Sequence, residues 1–140
     1  MTASQAWPLQ QALYARLSVL LAGRAPDGSD VPVYDHAPQN PPQVHARLDG
    51  SNIVPGQVKS RKARHFFTVH VFDRPTSEGS VTRGQRVVKE LQSTIVGGLE
   101  GWTPAVTGAS AVQHENSDIA PDQDGLTQHA DSRFSIYIGD

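Results

Sequence analysis

Cysteine is absent from this 140-residue chain. Disulfides, thiolate nucleophiles and cysteine metal sites are therefore excluded. The absence suits a reducing compartment without requiring one. A dominant charge of one sign is missing too: 12 Lys and Arg against 14 Asp and Glu give a net charge of -2, which provides no bulk attraction to nucleic-acid phosphates. Long apolar runs are missing, as is a basic flank ahead of an apolar N-terminal core. Neither a membrane span nor a secretory signal is expected. The motifs that usually announce chemistry are also lacking, namely a Gly-x-Ser-x-Gly elbow, a phosphate-cradling glycine loop and a helical His-x-x-x-His pair. A Ser-His-Asp set drawn from distant positions stays open.

What is present is loop-forming composition around one amphipathic unit. With 12 Gly, 10 Pro and only 37% hydrophobic residues, much of the chain should be turn or loop. Its length suits a single domain, residues 1–140, with one core. The architecture is announced between residues 64 and 99. From His65 the residues run His-Phe-Phe-Thr-Val-His-Val-Phe. Phe67, Val69 and Val71 share one face of a strand, while Phe66, Thr68, His70 and Phe72 share the other. After the Asp73-Arg74-Pro75-Thr76-Ser77-Glu78-Gly79 break, Ser80 opens a segment in which Val81, Val88, Leu91, Ile95 and Leu99 recur at helical steps.

The rest of the chain follows in order. Leu9, Ala12, Leu13, Leu17, Leu20 and Leu21 form the stripe of a first helix, with Pro8 in its first turn and Gly23 ending it. Residues 31–36 predict a short extended piece that Pro32 confines to an edge or a strand start. Residues 44–48 predict a second strand with one wet face. Residues 50–64 predict a long hairpin arm leaving the sheet, carrying Lys59, Arg61, Lys62 and Arg64. Residues 102–112 begin as proline-broken coil and turn extended, residues 115–125 form an acidic loop, and residues 126–138 alternate as a last strand. The expected fold class is α+β, a mostly antiparallel sheet with two helices packed on one face and a long hairpin arm.

Each candidate constellation competes with a plainer explanation. The six histidines, at 36, 45, 65, 70, 114 and 129, include His65 or His70 with His129 as conceivable metal ligands. His65 and His70 point to opposite faces of one strand, and no metal or other cofactor is assigned. Asp122-Gln123-Asp124-Gly125 with Asp131 resembles part of a calcium loop. Ala120 occupies the first ligand position, however, so the segment reads as a turn. The basic cluster Lys59, Arg61, Lys62 and Arg64 reads either as a contact for an acidic protein surface or phosphate, or as a solvated hairpin tip that discourages edge aggregation. Phe66 and Phe72 are more pointed. A strand apolar on both sides, in a sheet with two helices, calls for a second cover, and a neighbouring subunit would supply one. The protein-interface candidates are therefore Lys59, Arg61, Lys62, Arg64, Phe66 and Phe72.

The order of the pieces resembles the tail terminators, a family of tail-completion proteins of long-tailed phages and gene transfer agents. The matching stretches are Ala12-Leu13-Tyr14-Ala15-Arg16-Leu17 in the first helix and Tyr34-Asp35-x-x-Pro38, which follows the family's tyrosine-aspartate-x-x-proline. Val69-His70-Val71-Phe72-Asp73-Arg74 with the helix after Gly79, and Asp122 to His129 ahead of Arg133-Phe134, continue the match. One departure is Gln43-Val44-His45-Ala46, where the family has a Pro-Tyr-Val-like strand. The resemblance implies a non-enzymatic virion protein of the tail-neck region, assembled in the host cytoplasm. Its form would be a ring, expected to be a hexamer, that caps the tail tube, ends its polymerisation and joins it to a head-side stopper or connector. DNA would pass through the lumen without specific binding. A head-tail stopper or adaptor is the alternative within the same particle. The distant alternative is a small α+β hydrolase or metal-dependent enzyme using His65, His70, His129 and Asp131, which would have to converge in one pocket.

Overall fold

In a computed structural model, which describes residues 5–55, 62–74, 84–121 and 126–139, the chain folds as α+β. Its elements are α1 (Ala6–Leu20), β1 (Val33–Tyr34), β2 (Val44–Val54), β3 (Ala63–Asp73), α2 (Arg86–Leu99), β4 (Gln113–Pro121) and β5 (Gln128–Ile138). The strands form one five-stranded sheet in the order β1-β2-β3-β5-β4. Among the described residues, only the β1–β2 pair is parallel. The long central strand β3 sits between β2 and β5, and both helices pack on one face of the sheet.

The core lies between that face and the helices. α1 contributes Leu9, Leu13 and Leu17, with Leu21 just beyond it, and α2 contributes Val87, Val88, Leu91, Ile95 and Leu99. From the sheet come Ala46, Leu48, Phe67, Val69, Val71, Ala130, Phe134, Ile136 and Ile138. This is the periodicity the sequence announces: three- and four-residue steps on the helices, and every second residue on the strands. Pro8 falls in the first turn of α1, where its missing N–H is not needed. Gly23, at φ +69°, lies just past the helix and donates its N–H to Asp30 Oδ1 at 2.8 Å. The helices approach closely at Gly98, where an added Cβ would overlap the methyl groups of Leu20. The Arg16 guanidinium donates to the Gly98 carbonyl there, at 2.9 and 3.2 Å.

Four boundaries differ from the sequence reading. The hairpin does not leave the sheet at residue 50: β2 runs on to Val54, paired with Arg64, after a bulge between Gly50 and Asn52. The bulge restores pairing across a glycine and a polar pair that give no alternation to read. α2 begins at Arg86 rather than at Ser80, because Gly84 just before it takes a left-handed φ of +59°; Val81 lies outside the described residues. Residues 113–121, placed mainly in an acidic loop, form edge strand β4, held by its antiparallel ladder with β5. The stretch ahead of it is turns: the Val112 N–H donates to the Trp102 carbonyl at 2.8 Å and the Ser110 N–H to the Tyr137 carbonyl at 2.9 Å. The calcium-like segment 122–125 lies outside the described residues.

Candidate functional site: the open face of the sheet

Because side chains alternate along a strand, the sheet has a second face that, among the described residues, no helix covers. On β3 the residues Ala63, His65, Phe67, Val69, Val71 and Asp73 are buried, while Arg64, Phe66, Thr68, His70 and Phe72 between them are half-buried. Ladder register brings further groups beside this second row. His45, Arg47 and Asp49 come from β2, opposite Phe72, His70 and Thr68. His129, Asp131, Arg133, Ser135 and Tyr137 come from β5, opposite Phe72, His70, Thr68, Phe66 and Arg64. The face separates into two clusters.

At the end of β3 nearest the hairpin loop, the Phe66 ring has two guanidinium neighbours, Arg64 at 4.7 Å and Arg133 at 4.6 Å from its centroid. Each contact is an attraction of cation to ring face, worth about 0.5–1 kcal/mol where partly exposed. Arg64 also lies over Tyr137 at 5.6 Å, and it donates to Glu115 Oε2 at 2.8 Å. The Ser135 hydroxyl donates to the same oxygen at 2.6 Å. Glu115 reaches them from β4 because the strand bulges between His114 and Asn116. Its carboxyl is held below the ordinary range, first by the Ser135 hydroxyl and then, against some desolvation, by Arg64 and Arg133.

At the other end the rings stack. Phe72 lies between His45, with centroids 4.9 Å apart, and His129, at 4.3 Å, and Arg47 sits 5.9 Å from the Phe72 centroid. His45 is buried, and its Nδ1–H donates to the Pro42 carbonyl at 2.9 Å. Burial pushes its imidazole pKa down despite that bond, and Arg74 and Arg47 add to the effect. Beside this stack, His70 Nδ1 and His129 Nε2 each lie 2.6 Å from Asp131 Oδ1. Burial alone would raise the Asp131 carboxyl, but hydrogen bonds and charge interactions with His129 and His70 outweigh it and hold the group well below the usual carboxylate range.

The residues singled out from sequence distribute unevenly. Phe66 and Phe72 occupy the helix-free face, as their alternation requires. Their cover, however, comes in part from this chain's own guanidinium and imidazole groups, so the aromatics do not by themselves demand an outside body. Arg64 lies on the same face, bonded to Glu115, rather than in a solvated cluster. Lys62 is exposed just before β3. Lys59 and Arg61 lie outside the described residues. His65 is buried on the helix side, so the four groups of the enzyme alternative do not share one pocket. The sequence reading expected a wet face on residues 44–48, where His45 is instead buried beside the Phe72 ring, and it missed Glu115 as part of this face. The alternation of β5 sets Arg133, Ser135 and Tyr137 on one face, where Ser135 is buried, but its pairing with β3 carries no local signal. Also missed were Trp7 and Tyr14 of α1, 63% and 48% exposed, which with Tyr34 make an aromatic patch beside β1.

The described residues form an α+β fold with one helix-covered face and one charged, aromatic open face. The chain belongs to the family described as Tail completion protein gp17, which matches residues 11–139. That family is one of structural phage tail proteins. Among solved structures, a chain from a virion of a native gene transfer agent particle shares the fold. It is 13% identical, with 94% of this chain and 95% of that one covered and a TM-score of 0.70. A second solved chain, 14% identical over 94% of each, superposes with a TM-score of 0.58. No curated protein matches significantly. Among the described residues, no helix is long and apolar enough to cross a membrane.

Proposed function

We propose that this chain is a tail terminator: a ring, with six copies as the expected number, that caps the assembled tail tube, ends its polymerisation and joins the tail to the head-side stopper or connector in the neck. The observation that carries this reading is the family match from residue 11 to residue 139, which takes in most of α1 and all the later elements rather than one motif. The likeness of the fold to a chain of a gene transfer agent virion supports the same setting. A tube of identical rings presents the same surface after every addition, so its growth stops only when a different subunit occupies that surface. A ring needs a heterologous interface that closes. We assign the subunit boundary to the open face around Arg64, Phe66 and Phe72, and the tube contact to the hairpin end, with Lys59, Arg61 and Lys62. A chain of net charge -2 suits a lumen through which DNA passes without being gripped. The chemistry in this reading is assembly, with no catalytic step.

Electron microscopy of lysates from particles lacking the protein tests the proposal. The expected result is overlong or headless tails, with heads and tubes still forming. Tails of normal length attached to full heads would refute it, and normal-length free tails beside full, leaking heads would identify a stopper or adaptor instead. Charge reversal of Lys59 and Arg61 separates contact from folding, since it should leave the thermal midpoint unchanged and lower the yield of joined particles.

A further inference from the structure

On the open face, three ligand-type atoms converge. His70 Nδ1 and His129 Nε2 are 3.0 Å apart, and both lie 2.6 Å from the same oxygen, Oδ1 of Asp131. The sheet builds this arrangement: His70 and Asp131 are directly opposed on β3 and β5, and His129, two residues along β5, is the diagonal neighbour on the same face. Neutral imidazole has one N–H and one lone pair. If both facing nitrogens carry protons, both N–H groups donate to the one Asp131 oxygen, with the nitrogens 3.0 Å apart. If either lacks its proton, a nitrogen lone pair lies 2.6 Å from the carboxylate oxygen. Where a proton is missing the converging lone pairs repel, and a cation among the three atoms replaces that repulsion with ligand bonds.

We propose that His70, His129 and Asp131 bind a divalent first-row transition metal of the zinc class. Two imidazoles with one carboxylate suit such an ion, whereas calcium and magnesium take oxygen ligands. The three candidate ligand atoms lie within 4.8 Å of one another. A tetrahedral zinc with bonds of about 2.0–2.2 Å holds its ligand atoms roughly 3.3 Å apart, so small side-chain rotations open the triangle. The surroundings fit as well. The His70 and His129 side chains are 13% and 23% exposed, and that of Asp131 is 41% exposed, which leaves one solvent-facing side for a water as fourth ligand. The Phe72 ring stacked on His129 walls another side. With Nδ1 of His70 on the metal, its Nε2 carries the proton, and Asp49 Oδ2 lies 3.9 Å away, within ion-pair range but beyond a direct hydrogen bond. The ion ties β3 to β5 on the face that the helices leave open.

The test is calorimetric titration of the metal-free chain, its purification tag removed, with Zn²⁺, and visible spectroscopy with Co²⁺ in its place. One equivalent should bind, with the intense Co²⁺ absorption of a four-coordinate site, and Mg²⁺ should not compete. His70→Gln, His129→Gln and Asp131→Asn should each weaken binding at least about tenfold, while His36→Gln and His114→Gln should leave it unchanged. Circular dichroism checks that each variant folds. Zinc-induced shifts of histidine ring resonances give a second readout on the unmodified chain, expected at His70 and His129 and absent at His36. Lack of a saturable site, equal binding by wild type and the ligand variants, or shifts confined to other histidines would each overturn the proposal.

Discussion

Phe134 sits fully buried on β5, its ring stacked on Phe67 with centroids 5.3 Å apart and tilted against His114 at 5.4 Å. Phe134→Ala removes the transfer energy of the ring and leaves a cavity between sheet and helices, a loss of about 3–5 kcal/mol. The aromatic pair accounts for about 0.5–1.5 kcal/mol of interaction beyond buried area. Unfolding entropy near 60 °C is about 2.1 cal/mol/K per residue, which over 140 residues is about 0.3 kcal/mol/K. A loss of about 4 kcal/mol therefore lowers the thermal midpoint by roughly 13 °C. It is also a large share of the roughly 5–15 kcal/mol that holds a domain folded. The assay is thermal unfolding followed by circular dichroism at one fixed protein concentration, since self-association would raise the apparent midpoint. A cycle of Phe134→Leu with Phe67→Leu isolates the stacking, with an expected coupling of about 0.5–1.5 kcal/mol. A midpoint drop below about 5 °C for Phe134→Ala, or additive leucine variants, would refute the reasoning that this buried, stacked pair stabilises the core.

Two further expectations concern charge and backbone. Because burial lowers the His45 pKa in the folded state, with Arg74 and Arg47 adding to it, its stabilising contribution is intact above the unfolded value of about 6.5. That contribution is lost as pH falls below it. The midpoint of wild type relative to His45→Gln should therefore fall between pH 7.5 and 5.5; a constant difference across that range would contradict the assignment. Gly108 has φ +80°, its carbonyl accepts the Gly139 N–H at 3.1 Å, and an added Cβ would overlap the Gly139 carbonyl oxygen. Gly108→Ala should cost about 2–4 kcal/mol, from the left-handed strain and the displaced strand end together; a denaturant-measured loss below about 1 kcal/mol would show that the end of β5 simply gives way.

The sequence by itself determined the features that a local period can encode. The leucine stripe of α1, the helical steps of α2 and the two faces of β3 were all legible because a residue's burial there follows from its own position in a regular element. Phe66 and Phe72 could be assigned to the helix-free face for the same reason, and the absence of cysteine and of catalytic motifs already turned attention to surfaces. Tertiary structure decided what depends on a partner strand. Residues 113–121 are almost wholly exposed, and their strand exists through backbone hydrogen bonds to β5, which leave no mark on side-chain chemistry. The bulges beside Gly50 and Glu115 shift register by one residue and re-aim side chains, so no alternation could be read through them. His70 and Asp131 are 61 positions apart, and only the antiparallel register of β3 with β5 sets them opposite one another. Spacing along the chain describes neighbours within one element, whereas a site assembled across strands is a property of the pairing.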